Sequence, residues 1–190
     1  LALAMAAALS ACTGAPVREA APPAAVPPAA SGTAASADDN LNAVLWVQRS
    51  AEYRAAAAQA YRAAALQLDA ALKAPDWNAL VPEERTAAAR RLPPAVVVDV
   101  DETVLDNSPY QARLVAEGAE YNETTWDAWV REQKARAVPG VVEFARAAQA
   151  RGITMVYVTN RAQHLAEPTI ANLRAVGLPV AGPEVFLGLG

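Results

Sequence analysis

One cysteine, one histidine and two lysines are all that the 190 residues hold of those side chains. A single Cys12 cannot form an intramolecular disulfide, and one His164 makes no metal cluster. No run of Lys and Arg occurs; Arg90-Arg91 is too short to count. With a formal net charge of −4, the chain does not read as a binder of nucleic-acid polymers. Its apolar opening, Leu1 to Leu9, falls short of the roughly 20 residues that a membrane-spanning helix needs. Aromatic residues are only 6% of the chain, and much of its 54% hydrophobic content is Ala, so the core of large side chains is smaller than that figure suggests. The length allows about one domain.

What is present is concentrated in Ala95-Val96-Val97-Val98-Asp99-Val100-Asp101-Glu102-Thr103-Val104-Leu105. The β-branched run predicts a strand over 95–100, buried on both faces. Two carboxylates spaced i, i+2 follow it, where ligands of open α/β sheets bind. Unpaired buried carboxylates are costly, so the pair calls for a cation. A capped turn would also accommodate it. A calcium-binding EF-hand loop would not, since it needs Gly at position 6 and Glu at position 12, where Val104 and Tyr110 stand. Phosphoryl transfer uses both acids. A magnesium ion on the first removes the repulsion between a carboxylate and a phosphate ester. Asp99 can then attack in line, while Asp101 gives a proton to the leaving alcohol and later takes one from water.

The rest of the pattern supplies a scaffold. Residues 13–39 are rich in Ala, Pro, Ser, Thr and Gly and read as a flexible tether. A helical periodicity runs from about Asn40, with Asp38, Asp39 or Asn40 as caps, to Ala74, where Pro75 stops it. A short helix is expected over 82–91. Helices follow over 110–118, over 124–134 with Thr124 or Thr125 as cap, and over 141–150. A second buried strand spans 153–158 and ends in Thr159-Asn160-Arg161, then a helix covers 168–176 and a third strand starts at Val185. Strand, helix, strand, helix, strand predicts an α/β fold with a parallel sheet.

Leu9-Ser10-Ala11-Cys12 resembles the lipobox of bacterial lipoproteins, in which the Cys is lipidated. By that likeness residues 1–12 are a signal peptide, Cys12 carries the anchor, and Thr13 in place of Asp favours the outer membrane. Residues 97–105 resemble motif I of the haloacid dehalogenase (HAD) superfamily, and residues 155–161 its motif II. The extension Leu105-Asp106-Asn107-Ser108-Pro109-Tyr110, with residues 46–53 and 136–140, is similar to the class C acid phosphatases, outer-membrane lipoproteins of which some are described as 5′-nucleotidases.

The resemblance implies a partial HAD-like Rossmannoid sheet over 93–190, an N-terminal helical region over 40–92 and a small helical cap over about 106–137. It implies Asp99 as nucleophile and Mg2+ ligand, and Asp101 as acid/base with its backbone carbonyl on the metal. Thr159 and Asn160 would hold the phosphate, and Thr103 the loop. Motif III, a Lys, and motif IV, Gly-Asp-x-x-x-Asp, are expected beyond residue 190, because neither Lys73 nor Lys134 is placed for the former. The 190 residues by themselves are therefore expected to be inactive. Trp126, and less strongly Tyr110, are candidates to stack an aromatic substrate, with Trp129 read as core. Asp106 and Glu102 read as turn and capping groups, His164 as a surface or structural residue. Arg161 reads as either an anion attractor or a salt-bridge partner. The function expected is hydrolysis of nucleoside 5′-monophosphates or related phosphomonoesters through an aspartyl-phosphate. The alternative is a non-catalytic surface lipoprotein that binds a ligand or partner on the same scaffold.

Overall fold

The structure, a computed structural model, describes residues 38–74, 76–85 and 92–190. The leader, Cys12, nearly all of the tether, Pro75 as a helix stop and the segment 86–91 lie outside the described residues. Among the described residues, no helix is long and apolar enough to cross a membrane.

Among the described residues, six α-helices and a three-stranded parallel sheet make an α/β fold. The sheet is ordered β1 (Ala95–Asp99), β4 (Thr154–Ala162), β5 (Phe186–Leu189). β1 pairs with β4 from Ala95 opposite Thr154 to Asp99 opposite Val158, so the loop after β1 leaves beside the last residues of β4. The crossover between them carries α5 (Val141–Gln149), and α6 (Ala166–Ala175) joins β4 to β5.

Alternation along β4 sorts the residues. Met155, Tyr157, Thr159 and Arg161 are buried, while Val158 and Asn160 are exposed. In register with the buried set, Val96 and Val98 of β1 pack against the core. The expectation that β1 is buried on both faces is not met, because Val97 is 67% exposed. β1 is an edge strand among the described residues, and Val97, Val158, Leu187 and Leu189 leave one face of the sheet open. The second strand, expected to stop at Val158, continues to Ala162.

The expected long N-terminal helix is two helices, α1 (Leu41–Arg49) and α2 (Ala51–Lys73). Ser50 is extended, and its Oγ accepts the Tyr53 N–H at 2.9 Å, so the serine caps a new helix rather than continuing the old one. The helix expected over 82–91 is, in its described part, a single turn Pro82–Glu84 with Arg85 extended after it. α2 lies against α5, where its small residues allow close approach. Gly140, at φ +91, caps α5 from a position where a Cβ would sit 2.9 Å from the Ala58 Cα. Tyr61 packs on Phe144 with ring centroids 5.6 Å apart.

Between β1 and α5 the chain makes an excursion. Its ends are joined by two short antiparallel strands, β2 (Leu105–Asp106) and β3 (Arg136–Ala137), across which Arg136 pairs with Asp106 at 3.3 Å. The excursion itself is α3 (Ser108–Glu117) and α4 (Glu123–Glu132). Gly118, at φ +59, stops α3. Asn122, not a threonine, caps α4, its Oδ1 accepting the Thr125 N–H at 2.9 Å. Asn172 of α6 ties the returning chain down by bonding both the N–H and the C=O of Ala135.

Arg113 of α3 forks onto both carboxylate oxygens of Glu132 in α4, and Lys134 adds a third contact at 3.0 Å. These hydrogen bonds hold the Glu132 carboxyl down at about 2. A depressed folded-state value means that the pair stabilises the fold above the ordinary Glu range of roughly 4.3 and is lost as pH falls toward 2. Both partners are partly exposed, so the contribution is under about 1 kcal/mol. We expect Glu132→Gln to lower stability by that much at pH 7, the difference from the unmodified chain narrowing between pH 4.5 and 2.5 in denaturant titrations. We expect Gly140→Ala to cost about 1–3 kcal/mol in the same measurement, because the new methyl meets α2 backbone.

Candidate active site

Both acids leave β1 into a tight loop. Val104 and Leu105 donate their N–H groups to the Val100 carbonyl, and the Glu102 N–H reaches the Leu105 carbonyl at 2.8 Å. Val100, Val104 and Leu105 are fully buried, which pins the loop from beneath. Glu102 takes φ +56 at its tip, a left-handed conformation uncommon outside glycine. Its carboxylate accepts the Asn107 N–H at 2.9 Å, the turn role expected of it. Desolvation raises the Glu102 carboxyl, and that N–H opposes the rise.

Asp99 stands exposed at the strand end, its Oδ2 accepting the Thr103 hydroxyl at 2.9 Å. The Thr103 carbonyl accepts the Tyr61 hydroxyl at 2.6 Å, so α2 braces the loop that orients Asp99. Burial first, then the fields of Tyr53 and Asp99, push the Tyr61 phenol up and keep it a neutral donor.

Asp101 is held differently. Arg161, 3% exposed, reaches its Oδ1 with Nη2 at 2.7 Å and Nε at 3.0 Å. Asn107 Nδ2 donates to the same oxygen at 2.8 Å. Oδ2 has longer contacts only, Arg161 Nε at 3.2 Å and the Thr159 hydroxyl at 3.4 Å. Arg161 is fixed in turn by Thr169 of α6 at 3.1 Å and lies 5.2 Å from the Trp126 ring centroid. Asn107 Oδ1 accepts both Arg161 Nη2 at 3.2 Å and the Trp129 indole N–H at 2.9 Å.

A cleft of about 240 Å³ opens over this loop, lined by Asp101, Asn107, Tyr121, Trp126, Asn160 and Arg161 among others. The sequence candidates divide here. Asp99, Asp101, Thr159 and Asn160 meet at the ends of β1 and β4; Asn160 faces the cleft, whereas Thr159 is buried behind Asp101. Trp126 lines the cleft and Trp129 is core at 2% exposure. Tyr110 does not reach the surface proposed for it. It is 2% exposed, its ring stacks on Trp129, and its hydroxyl meets Thr125 at 3.0 Å. Packing, not polarity, decides this: α3 turns Tyr110 into the aromatic cluster that props Trp126. His164 pairs with Asp127 of α4 at 2.6 Å, away from the acids.

Sequence reading missed Asn107, Tyr121 and Thr169, and left Arg161 undecided. Strand parity was the available signal, since Arg161 shares a face with Tyr157 and Thr159 once β4 is carried past Val158.

Among the described residues, no group of three or more His, Cys, Asp or Glu side chains could hold a metal. The oxygens at the loop are of the hard type that Mg2+ takes, and that ion commonly keeps several waters and one or two carboxylates. The exposed carboxylate of Asp99 is of that type. Neither lysine stands at the loop to hold a phosphate: Lys134 is bound to Glu132, and Lys73 ends α2, about 18 Å along the helix from Tyr61.

Comparison with known proteins agrees with this geometry. Residues 29–187 match the family described as HAD superfamily, subfamily IIIB (acid phosphatase). Two solved structures of the class C acid phosphatase from Bacillus anthracis, one a crystal structure with tungstate bound, are similar at 36% identity and a TM-score of 0.67. The match covers 80% of this chain but only 57% and 58% of theirs.

Proposed function

Because the chain belongs to subfamily IIIB of the HAD superfamily, the acid phosphatases, we propose that it forms the nucleophile-bearing part of a phosphomonoesterase acting on nucleoside 5′-monophosphates or related esters. The observation that carries this is the placement of Asp99 and Asp101 on one loop. Thr103 orients the first acid and Arg161 the second, which lines a cleft with an aromatic wall. The tungstate in the Bacillus anthracis relative, a tetrahedral oxyanion like phosphate, is consistent with it.

In this reading an Asp99 oxygen attacks phosphorus as the ester P–O bond breaks. The leaving oxygen takes a proton from the Asp101 carboxyl. Water then attacks the aspartyl-phosphate and gives a proton to Asp101, releasing inorganic phosphate and restoring the Asp99 carboxylate. Asn160 at the neighbouring strand end supplies an amide donor for the phosphoryl oxygens. A bound Mg2+ would supply charge to offset the repulsion between Asp99 and the phosphate. The Lys and the further acids that such a site needs are not near the loop among the described residues. We place them in the part of the protein that corresponds to the uncovered length of its relatives, and assign turnover to the complete protein. The leader and Cys12 support an outer-membrane lipoprotein, held by an acyl chain at the end of residues 13–39.

In the complete protein, Asp99→Asn is expected to lower phosphate release from nucleoside monophosphates by roughly 10⁴-fold or more. Retained turnover would refute the aspartyl route. Trp126→Ala is expected to raise KM for aromatic phosphates more than for glycerol phosphate, as steady-state kinetics on both would read. Equal effects would remove Trp126 from the substrate pocket.

A further inference from the structure

Among the described residues, Arg161 is the one cation whose donors converge on the proposed acid/base, and its burial, partners and geometry all need an explanation. A guanidinium only 3% exposed has left water. Its Nε and Nη2 go to Asp101, Nη2 also to Asn107, and Nη1 to Thr169. The two oxygens of Asp101 are treated unequally. Oδ1 receives three donors at 3.0 Å or less, two from Arg161 and one from Asn107. Oδ2 has none closer than 3.2 Å.

We propose that Arg161 is a positioning residue that anchors Asp101 by Oδ1 and so leaves Oδ2 as the oxygen that trades the proton with the leaving group and with water. The proposal rests on the reading of Asp101 as acid/base. It assigns Arg161 no direct hold on substrate phosphate, because four of its five N–H donors are committed to Asp101, Asn107 and Thr169. A planar fork is needed at this place. Lys would keep the charge but could not meet Oδ1 with two parallel donors while also reaching Thr169. The network has a second purpose. Asn107 accepts from both Arg161 and Trp129, and Trp126 lies over the guanidinium, so α4 is registered to Asp101 through the same arginine.

The test exploits the leaving group. An alkyl phosphate must receive a proton as its P–O bond breaks; p-nitrophenolate leaves without one. In the complete protein, Arg161→Lys is expected to lower kcat/KM for an alkyl phosphate by about 100-fold, and for p-nitrophenyl phosphate by only several-fold. Inhibition by inorganic phosphate should hardly change. In an Asp101→Ala background the same substitution should add less than about twofold, since a residue acting through Asp101 has nothing left to act on. Thr169→Val, nearly isosteric and milder, should show the same substrate bias at smaller size, which keeps the test alive if Arg161→Lys does not fold. Equal losses on the two esters, weaker phosphate inhibition, or additivity with Asp101→Ala would overturn the role and make Arg161 a phosphate ligand or a purely structural group. Absence of phosphatase turnover in the unmodified protein would instead overturn the reading of function, and the role with it.

Discussion

A guanidinium taken out of water must meet acceptors for its donors, and around Arg161 that requirement draws three parts of the chain together. Asp101 comes from the loop after β1, Asn107 from the start of α3, and Thr169 from α6. Removing one partner from a buried pair leaves the other charge uncompensated, at a cost of about 3–5 kcal/mol. The arrangement is also specific, since a fork with donors in fixed directions accepts few alternatives for the position of Asp101.

The parallel register makes that meeting possible. With Asp99 opposite Val158, the polar residues after β1 and those at the end of β4 arrive at one edge of the sheet. α2 then fixes the loop from one side through the hydroxyl of Tyr61, and its approach depends on the bare Cα of Gly140. From the other side, Tyr110 and Trp129 fill the space beneath Trp126, which keeps an aromatic face at the cleft rather than in the core. The two acids thus differ in constraint. Asp99 is exposed and held by one hydroxyl, as suits a group that must reach a phosphorus atom, while Asp101 is anchored from behind.

Much of this was legible beforehand, and the errors have physical causes. The apolar run Val96 to Val98 marked β1 correctly as a strand, but its composition could not say how many of its faces are covered; Val97 is exposed because no described element packs on its face of the sheet, where Val158 of the central strand is exposed too. The Ala-rich periodicity hid the break at Ser50, because a serine hydroxyl is equally at home in a helix or starting one until its neighbours are known. Thr124 and Thr125 were reasonable caps by type, yet Asn122 took the place because the chain enters α4 earlier, at Glu123. Ending the second strand at Val158 followed hydropathy, and that cut off the parity that would have turned Arg161 inward.

The sequence alone determined the α/β order, the two acids at a strand end and the hydroxyl and amide at the next, because these depend on local periodicity and on residue spacing. It also carried the likeness in residues 97–110 and 155–161 that fixes the family. Only the tertiary structure decided which aromatic faces the cleft, which oxygen of Asp101 is anchored, and what Arg161 is for. Those follow from side chains dozens of residues apart competing for the same buried volume, and no spacing within one segment encodes that competition.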